Sequence, residues 1–304
     1  LLAVLFLAAA SSAVAQQRRP IDRMLPGSLD PKPLPPLKNP DAPSTPAREL
    51  FARKSTPSPG PSRVFGGDFG GCLAGAVSLP ITGQTWQVMR PSRNRNWGHP
   101  ELIRFIERLG ANAKTAGWNG LLVGDMSQPR GGPMLSDHAS HQVGLNVDIW
   151  FAPMPDHVQS REEREFRPGT DVVAPDLRDV DPKLWSHTHT ALIRAAAQDP
   201  VVVRILVNAA IKKAVCREAG ADQPWLYKVR PWYGHAAHFH VQIGCPADSA
   251  ECKPPAPPPA GAGCGSDLDV WFKESKLHPR PSKPRPVLTL AGLPPACRQI
   301  VKAP

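Results

Sequence analysis

The chain lacks the signatures of several common site types. None of its six cysteines belongs to a C-x-x-C pair, so a zinc site built on paired thiolates is set aside. H-E-x-x-H does not occur, which excludes a zinc site carried on one helix. Aromatic residues are only 6% of the chain, although eight of them are tryptophan. Beyond Ala15 no apolar run approaches the length of a membrane span, so stable membrane insertion is not expected. No internal repeat is visible.

Proline and positive charge are abundant. The 304 residues include 38 prolines, which mark stretches that cannot be ordinary helix or central strand. A net charge of +10 suits an anionic partner, and charge alone does not choose among nucleic acid, membrane and cell wall. Leu1 to Ala15 reads as a truncated secretory signal, with a small-x-small site at Ala13-Val14-Ala15 and cleavage expected before Gln16. Residues 16–62 are rich in Pro, Ser and charge and are expected as an extended arm. Residues 63–253 hold the periodic patterns of a folded domain. A second Pro-rich stretch, K-P-P-A-P-P-P-A-G-A-G, opens a tail over 254–304 with little periodic pattern. Six cysteines in an exported chain imply disulfides, with fifteen connectivities open. Cys245 and Cys252 close a short loop containing Pro246 and are natural partners.

Within the folded region, Leu102, Phe105, Ile106 and Leu109 have the spacing of a helix face in the segment Pro100 to Trp118. Leu121 to Val123 reads as a buried strand running into G-D-M-S, followed by a Gly- and Pro-bearing loop over Gln128 to Leu135. Leu145 to Trp150 alternates, with Asn146, Asp148 and Trp150 on one face. Met154 to Pro182 is polar and irregular. Leu184 to Gln198 reads as helix and Val201 to Val207 as strand. Asn208 is an N-cap for a helix through Ala219, with Gly220 as its stop. The pattern predicts an α+β fold with a central antiparallel sheet flanked by helices.

Five of the ten histidines occupy two windows. The first, S-D-H-A-S-H-Q-V-G-L-N-V-D-I-W, carries His138, His141 and Asp148. The second, G-H-A-A-H-F-H-V, carries His235, His238 and His240. His238 and His240 stand two apart on a strand and point to one face. A catalytic zinc ion takes three protein ligands and keeps one position open for water. His141, Asp148 and His240 supply such a set, which leaves His238 to act as general base or to steady an oxyanion. His235 assists the site or bonds at the surface. Trp232 and Tyr233 line a substrate groove or belong to the core. His157, His187, His189 and His278 lie outside both windows and read as solvated.

The two extended strings, with V-N-A-A-I-K and R-D-V-D-P-K-L-W between them, resemble the penicillin-insensitive murein endopeptidases. These exported metallopeptidases are related to lysostaphin and the D-Ala-D-Ala peptidases. The resemblance runs from about Gly66 to beyond Cys264. It implies His141, Asp148 and His240 as zinc ligands and His238 as the catalytic histidine. It also implies a second metal position served by His138, with Asp176 and Asp179 as its other ligands. It pairs Cys72 with Cys297, Cys216 with Cys264 and Cys245 with Cys252. Asn146 stands where the family's G-L-D-V-D carries an acidic residue. The implied reaction is hydrolysis of the D-alanyl–meso-diaminopimelyl cross-link of peptidoglycan in the periplasm, by a route without a serine nucleophile. The expected partner is peptidoglycan and not nucleic acid. Two other activities fit the same residues: a D-Ala-D-Ala carboxypeptidase or dipeptidase, and an inactive zinc-containing wall-binding module.

Overall fold

Alternation along two neighbouring strands decides the architecture. The computed structural model describes residues 26–136, 138–220, 223–280 and 286–304. The expected export signal lies outside them. Among the described residues there are ten strands: β1 (Arg63–Phe65), β2 (Cys72–Ala74), β3 (Val77–Ser78), β4 (Trp86–Val88), β5 (Trp97–Gly98), β6 (Leu121–Val123), β7 (Asn146–Pro153), β8 (Val202–Val207), β9 (Val229–Pro231) and β10 (His238–Ile243). Six of them form the main sheet, in the order β4-β6-β7-β10-β8-β9. The β6-β7-β10-β8 centre is antiparallel, as expected from the sequence. Each flank adds a parallel partner, β4 on β6 and β9 on β8, so the sheet as a whole is mixed.

Side chains alternate across these strands. On β7 and β10, Val147, Ile149, Phe151, Phe239, Val241 and Ile243 enter the main core. There they meet the apolar faces of α2 (Pro100–Thr115), α4 (His187–Gln198) and α5 (Ala209–Glu218). The opposite face presents Asn146, Asp148, Trp150, His238, His240 and Gln242 to an open cleft. Helices therefore cover one face of the sheet and leave the other for chemistry.

Local signals explain the helices. Before α2, the His99 side chain accepts from the Glu101 amide at 3.2 Å, and Pro100 occupies the first helical position. Asn208 Oδ1 accepts from the Ala210 amide at 2.9 Å, capping α5 as the sequence predicted. The segment expected to be irregular, Met154 to Pro182, contains a short helix, α3 (Arg161–Phe166). Ser160 and Glu163 close a reciprocal capping box at its start. His189, expected to be solvated, is buried against Trp185 with rings stacked 4.7 Å apart, and burial lowers its pKa.

The ends of the described chain also depart from expectation. The arm ends in α1 (Ala47–Phe51), and the tail carries α6 (Ser266–Asp269), α7 (Glu274–Leu277) and α8 (Pro295–Lys302). Phe51, Leu290, Leu293, Ile300 and Val301 join the Cys72–Cys297 disulfide in a second small core. Short apolar segments far apart in sequence supply this core together, so none shows a period of its own. The other disulfides are Cys216–Cys264 and Cys245–Cys252, which completes the pairing implied by the resemblance. Among the described residues, no helix is long and apolar enough to cross a membrane.

Candidate metal centre

The β7–β10 register sets the site. His240 lies directly opposite Asp148, His238 opposite Trp150, and Gln242 opposite Asn146. His141 reaches the same point from the loop before β7, in a left-handed conformation (φ 67°) that is unusual for a side chain other than glycine. The end of β6 is tied alongside by two backbone bonds, Asp148 N–H to Asp125 O at 3.0 Å and Gly124 N–H to Asp148 O at 2.8 Å. These bonds deliver Asp125, which the sequence reading did not single out.

Asp148 is the hub. Its Oδ1 lies 3.0 Å from His240 Nδ1, 3.4 Å from His141 Nε2 and 3.7 Å from His238 Nε2. Its Oδ2 lies 4.0 Å from His138 Nδ1. Burial alone would raise the Asp148 pKa. Its electrostatic interactions with His238 and His141, with a hydrogen bond from His141, outweigh burial and hold it well below the usual carboxylate range. Burial pushes His141 down to about 4 and, with the neighbouring His238, pushes His235 down to about 3. His238 is also lowered, chiefly by burial. His138 differs: burial lowers it, but its hydrogen bond to Asp125 wins and raises it.

These residues fit a metal ion. One ligand atom each from His138, His141 and Asp148 lies within 4.8 Å of the others, and imidazole with carboxylate is a donor set that suits zinc. His141 Nδ1 is buried and has no hydrogen-bond partner, a cost that native interiors rarely carry. Two of the residues expected as ligands, His141 and Asp148, are in this group. His138, expected at a second position, joins them, while His240 touches the group through its contact with Asp148.

Asp176 and Asp179 are not brought to the site. Asp179 pairs with Arg217 at 3.0 Å and Lys213 at 3.2 Å. Asp176 Oδ1 accepts from the Arg178 amide at 3.0 Å within a local turn. The Val173↔Val180 bridge folds this segment back on itself, so neither carboxylate lines the cleft. Asp125 stands where they were expected, with its Oδ2 2.8 Å from His138 Nε2, 2.8 Å from Arg95 Nη1 and 3.0 Å from Arg93 Nη1. Burial would raise its pKa, but the His138 hydrogen bond and the two guanidinium groups drive it far below the usual carboxylate range.

The cleft over these groups measures about 1100 Å³. Trp232, 49% exposed, and Tyr233 form part of its wall, and Trp271 from the tail joins them with ring centroids 6.4 and 5.3 Å away. His235 also lines the cleft, its Nδ1 donating to the Tyr233 carbonyl at 2.8 Å. Trp271 carries no signal in the sequence, because the tail has no pattern that points to the cleft.

A family profile described as penicillin-insensitive murein endopeptidase matches residues 64–302. The chain belongs to that family. It is similar to the penicillin-insensitive murein endopeptidase of Haemophilus influenzae, with 44% identity over 245 residues that cover 81% of this chain and 84% of the relative. The protein of the same name from Yersinia enterocolitica is 44% identical over 245 residues, covering 81% of this chain and 87% of the relative. That of Klebsiella pneumoniae (strain 342) is 43% identical over 248 residues, covering 81% and 89%. The family match takes in both histidine windows, and all but the last two residues of the tail.

Proposed function

We propose that this family member is an exported zinc endopeptidase that hydrolyses D-alanyl–meso-diaminopimelyl cross-links in peptidoglycan. The observation that carries the reading is the meeting of His138, His141 and Asp148 on the floor of an open cleft, with His141 Nδ1 unpartnered. Three disulfides suit an oxidising compartment such as the periplasm, and a net charge of +10 suits an anionic sacculus.

His141, Asp148 and His240 hold the ion, with His138 beside them. Bound zinc supplies a Lewis acid that polarises the scissile amide carbonyl and makes a water acidic near neutral pH. The chain's own groups do the rest. His238 is the catalytic histidine: kept neutral by burial, it takes up a proton at Nε2 and returns one to the leaving amine. His235 donates from Nδ1 to Tyr233, so its Nε2 is a free acceptor beside His238, with ring centroids 5.0 Å apart. Trp232 and Tyr233 give the substrate an amphipathic wall. No serine is acylated on this route, so β-lactams leave the activity intact.

The test is digestion of purified cross-linked muropeptide dimers. Monomers should appear, stop appearing with EDTA, and return with added zinc. Loss of terminal D-alanine alone, with dimers intact, would replace this reading with a carboxypeptidase. Zinc binding without any hydrolysis would replace it with a wall-binding module.

A further inference from the structure

We infer that Asp68 is a positioning residue of this centre, selecting through Asn146 which nitrogen of His240 carries its proton and which is left as a ligand facing Asp148. The inference rests on the metal-centre reading above. Asp68 Oδ1 accepts from Asn146 Nδ2 at 2.9 Å, and its Oδ2 accepts from Gln242 Nε2. Both carboxylate oxygens of Asp68 act as acceptors, so the amide nitrogen of Asn146 is the end turned toward it. The Asn146 oxygen must then face the other way, where His240 Nε2 lies 2.9 Å from it. An amide oxygen also has no proton to give. His240 therefore carries its proton on Nε2 and presents the Nδ1 lone pair to Asp148 Oδ1, 3.0 Å away. A lone pair facing a carboxylate oxygen is repulsive unless a cation lies between them. Asp68 thus makes His240 a ligand through Nδ1, by two steps of hydrogen-bond polarity.

The rest of the fold holds Asp68 in place. It sits in G-G-D-F-G-G between β1 and β2, which pair from Phe65↔Cys72 outward. Before it, Gly66 donates to the Glu251 carbonyl at 3.0 Å and accepts from the Lys253 amide at 2.8 Å, tying the loop to the Cys245–Cys252 turn. After it, Cys72 is bonded to Cys297. Gly71 leaves no room for a side chain: an added Cβ would stand 2.4 Å from Val143 Cγ1. Asn146 is fully buried and Gln242 nearly so, which limits exchange of either amide partner for water.

The test uses the full exported chain, with the tautomer of His240 read from two-bond proton–nitrogen spectra of the zinc-free protein at pH 8, and zinc affinity read by chelator competition. In the wild type, His240 should be the Nε2–H tautomer. Asp68→Asn lets the Asn146 amide turn round; it should populate the Nδ1–H form and weaken zinc binding by roughly 10- to 100-fold. The double variant Asp68→Asn, Asn146→Asp returns a carboxylate to His240 Nε2 directly and should restore both readouts. An Asp68→Asn protein that keeps the Nε2–H tautomer and binds zinc within about twofold of wild type would overturn the inference. If Asp68→Asn does not fold, the folded double variant decides: failure to show Nε2–H would overturn it equally. A wild type that binds no zinc would instead remove the metal-centre reading.

Discussion

His138 Nε2 and Asp125 Oδ2 stand 2.8 Å apart, joining the loop before β7 to the turn after β6. The same oxygen receives Arg93 and Arg95, so one buried carboxylate is shared by two guanidinium groups and an imidazole. Asp125→Asn keeps the shape and removes the charge. Arg93 and Arg95 then lose the charge of this buried carboxylate, with an expected loss of roughly 3 kcal/mol of stability. Thermal denaturation reads this as a lower Tm, and an unchanged Tm would show that the carboxylate is dispensable to the fold.

His238 lies on the face of His240, outside the group within 4.8 Å, and is the proton carrier of the proposed reaction. His238→Ala should keep its zinc, measured as metal per protein, and lose about 10²- to 10⁴-fold in turnover of muropeptide dimers. Cleavage at the wild-type rate would exclude His238 as the proton carrier.

Lys212 gives a pH signature separate from the site. Its side chain is fully buried, donating to the Leu226 carbonyl at 3.0 Å and the Ala262 carbonyl at 2.6 Å. Burial, with Arg230 nearby, lowers its pKa from 10.5 to about 7. Below pH 7 both folded and unfolded chains hold the proton, and the folded state bears the full cost of burying the charge. Between pH 7 and 10.5 the unfolded chain holds the proton and the folded one releases it, so stability rises with pH. The full shift corresponds to at most about 5 kcal/mol. The stability difference between wild type and Lys212→Met should therefore move in favour of wild type from pH 7 to 10. A flat difference in denaturant titrations would contradict the depressed pKa.

Phe51 tests whether the end of the arm is structural. It is 1% exposed and packs with the last helix and the Cys72–Cys297 bridge. Phe51→Ala should cost about 3–5 kcal/mol in unfolding free energy, the range for emptying an aromatic site in a core. A loss below about 1 kcal/mol, as for a surface site, would return this segment to the status of a loose arm.

What the sequence disclosed followed the range of its interactions. Leu102, Phe105, Ile106 and Leu109 announced α2 because a helix repeats within itself, and Asn208 announced α5 because a cap acts two residues away. The alternation at Asn146, Asp148 and Trp150 gave the face of β7 correctly. Ser160 and Glu163 spelled out a capping box for α3, but the polar residues around them concealed it. Asp125 and Asp68 were harder. Each is a single acid beside glycine, and its meaning depends on a partner at the site that only the sheet brings near. Asp176 and Asp179 misled for the converse reason. Their residue type suited a metal, while Arg217 and Lys213, on a helix well downstream, had already claimed Asp179.

The three disulfides are nested like brackets: Cys245–Cys252 lies within Cys216–Cys264, which lies within Cys72–Cys297. No bridge joins the first two cysteines of the chain. An oxidant acting in order of appearance would link Cys72 to Cys216, and that bond would have to be exchanged before the β1–β2 loop could seat. Along the chain the native partners become available from the inside outward, and the outermost bond, spanning 225 residues, needs Cys297 in α8. A wall hydrolase assembled in that order has its Asp68 loop anchored on both sides only once Cys297 is present, so a product truncated before Cys297 would lack that anchoring.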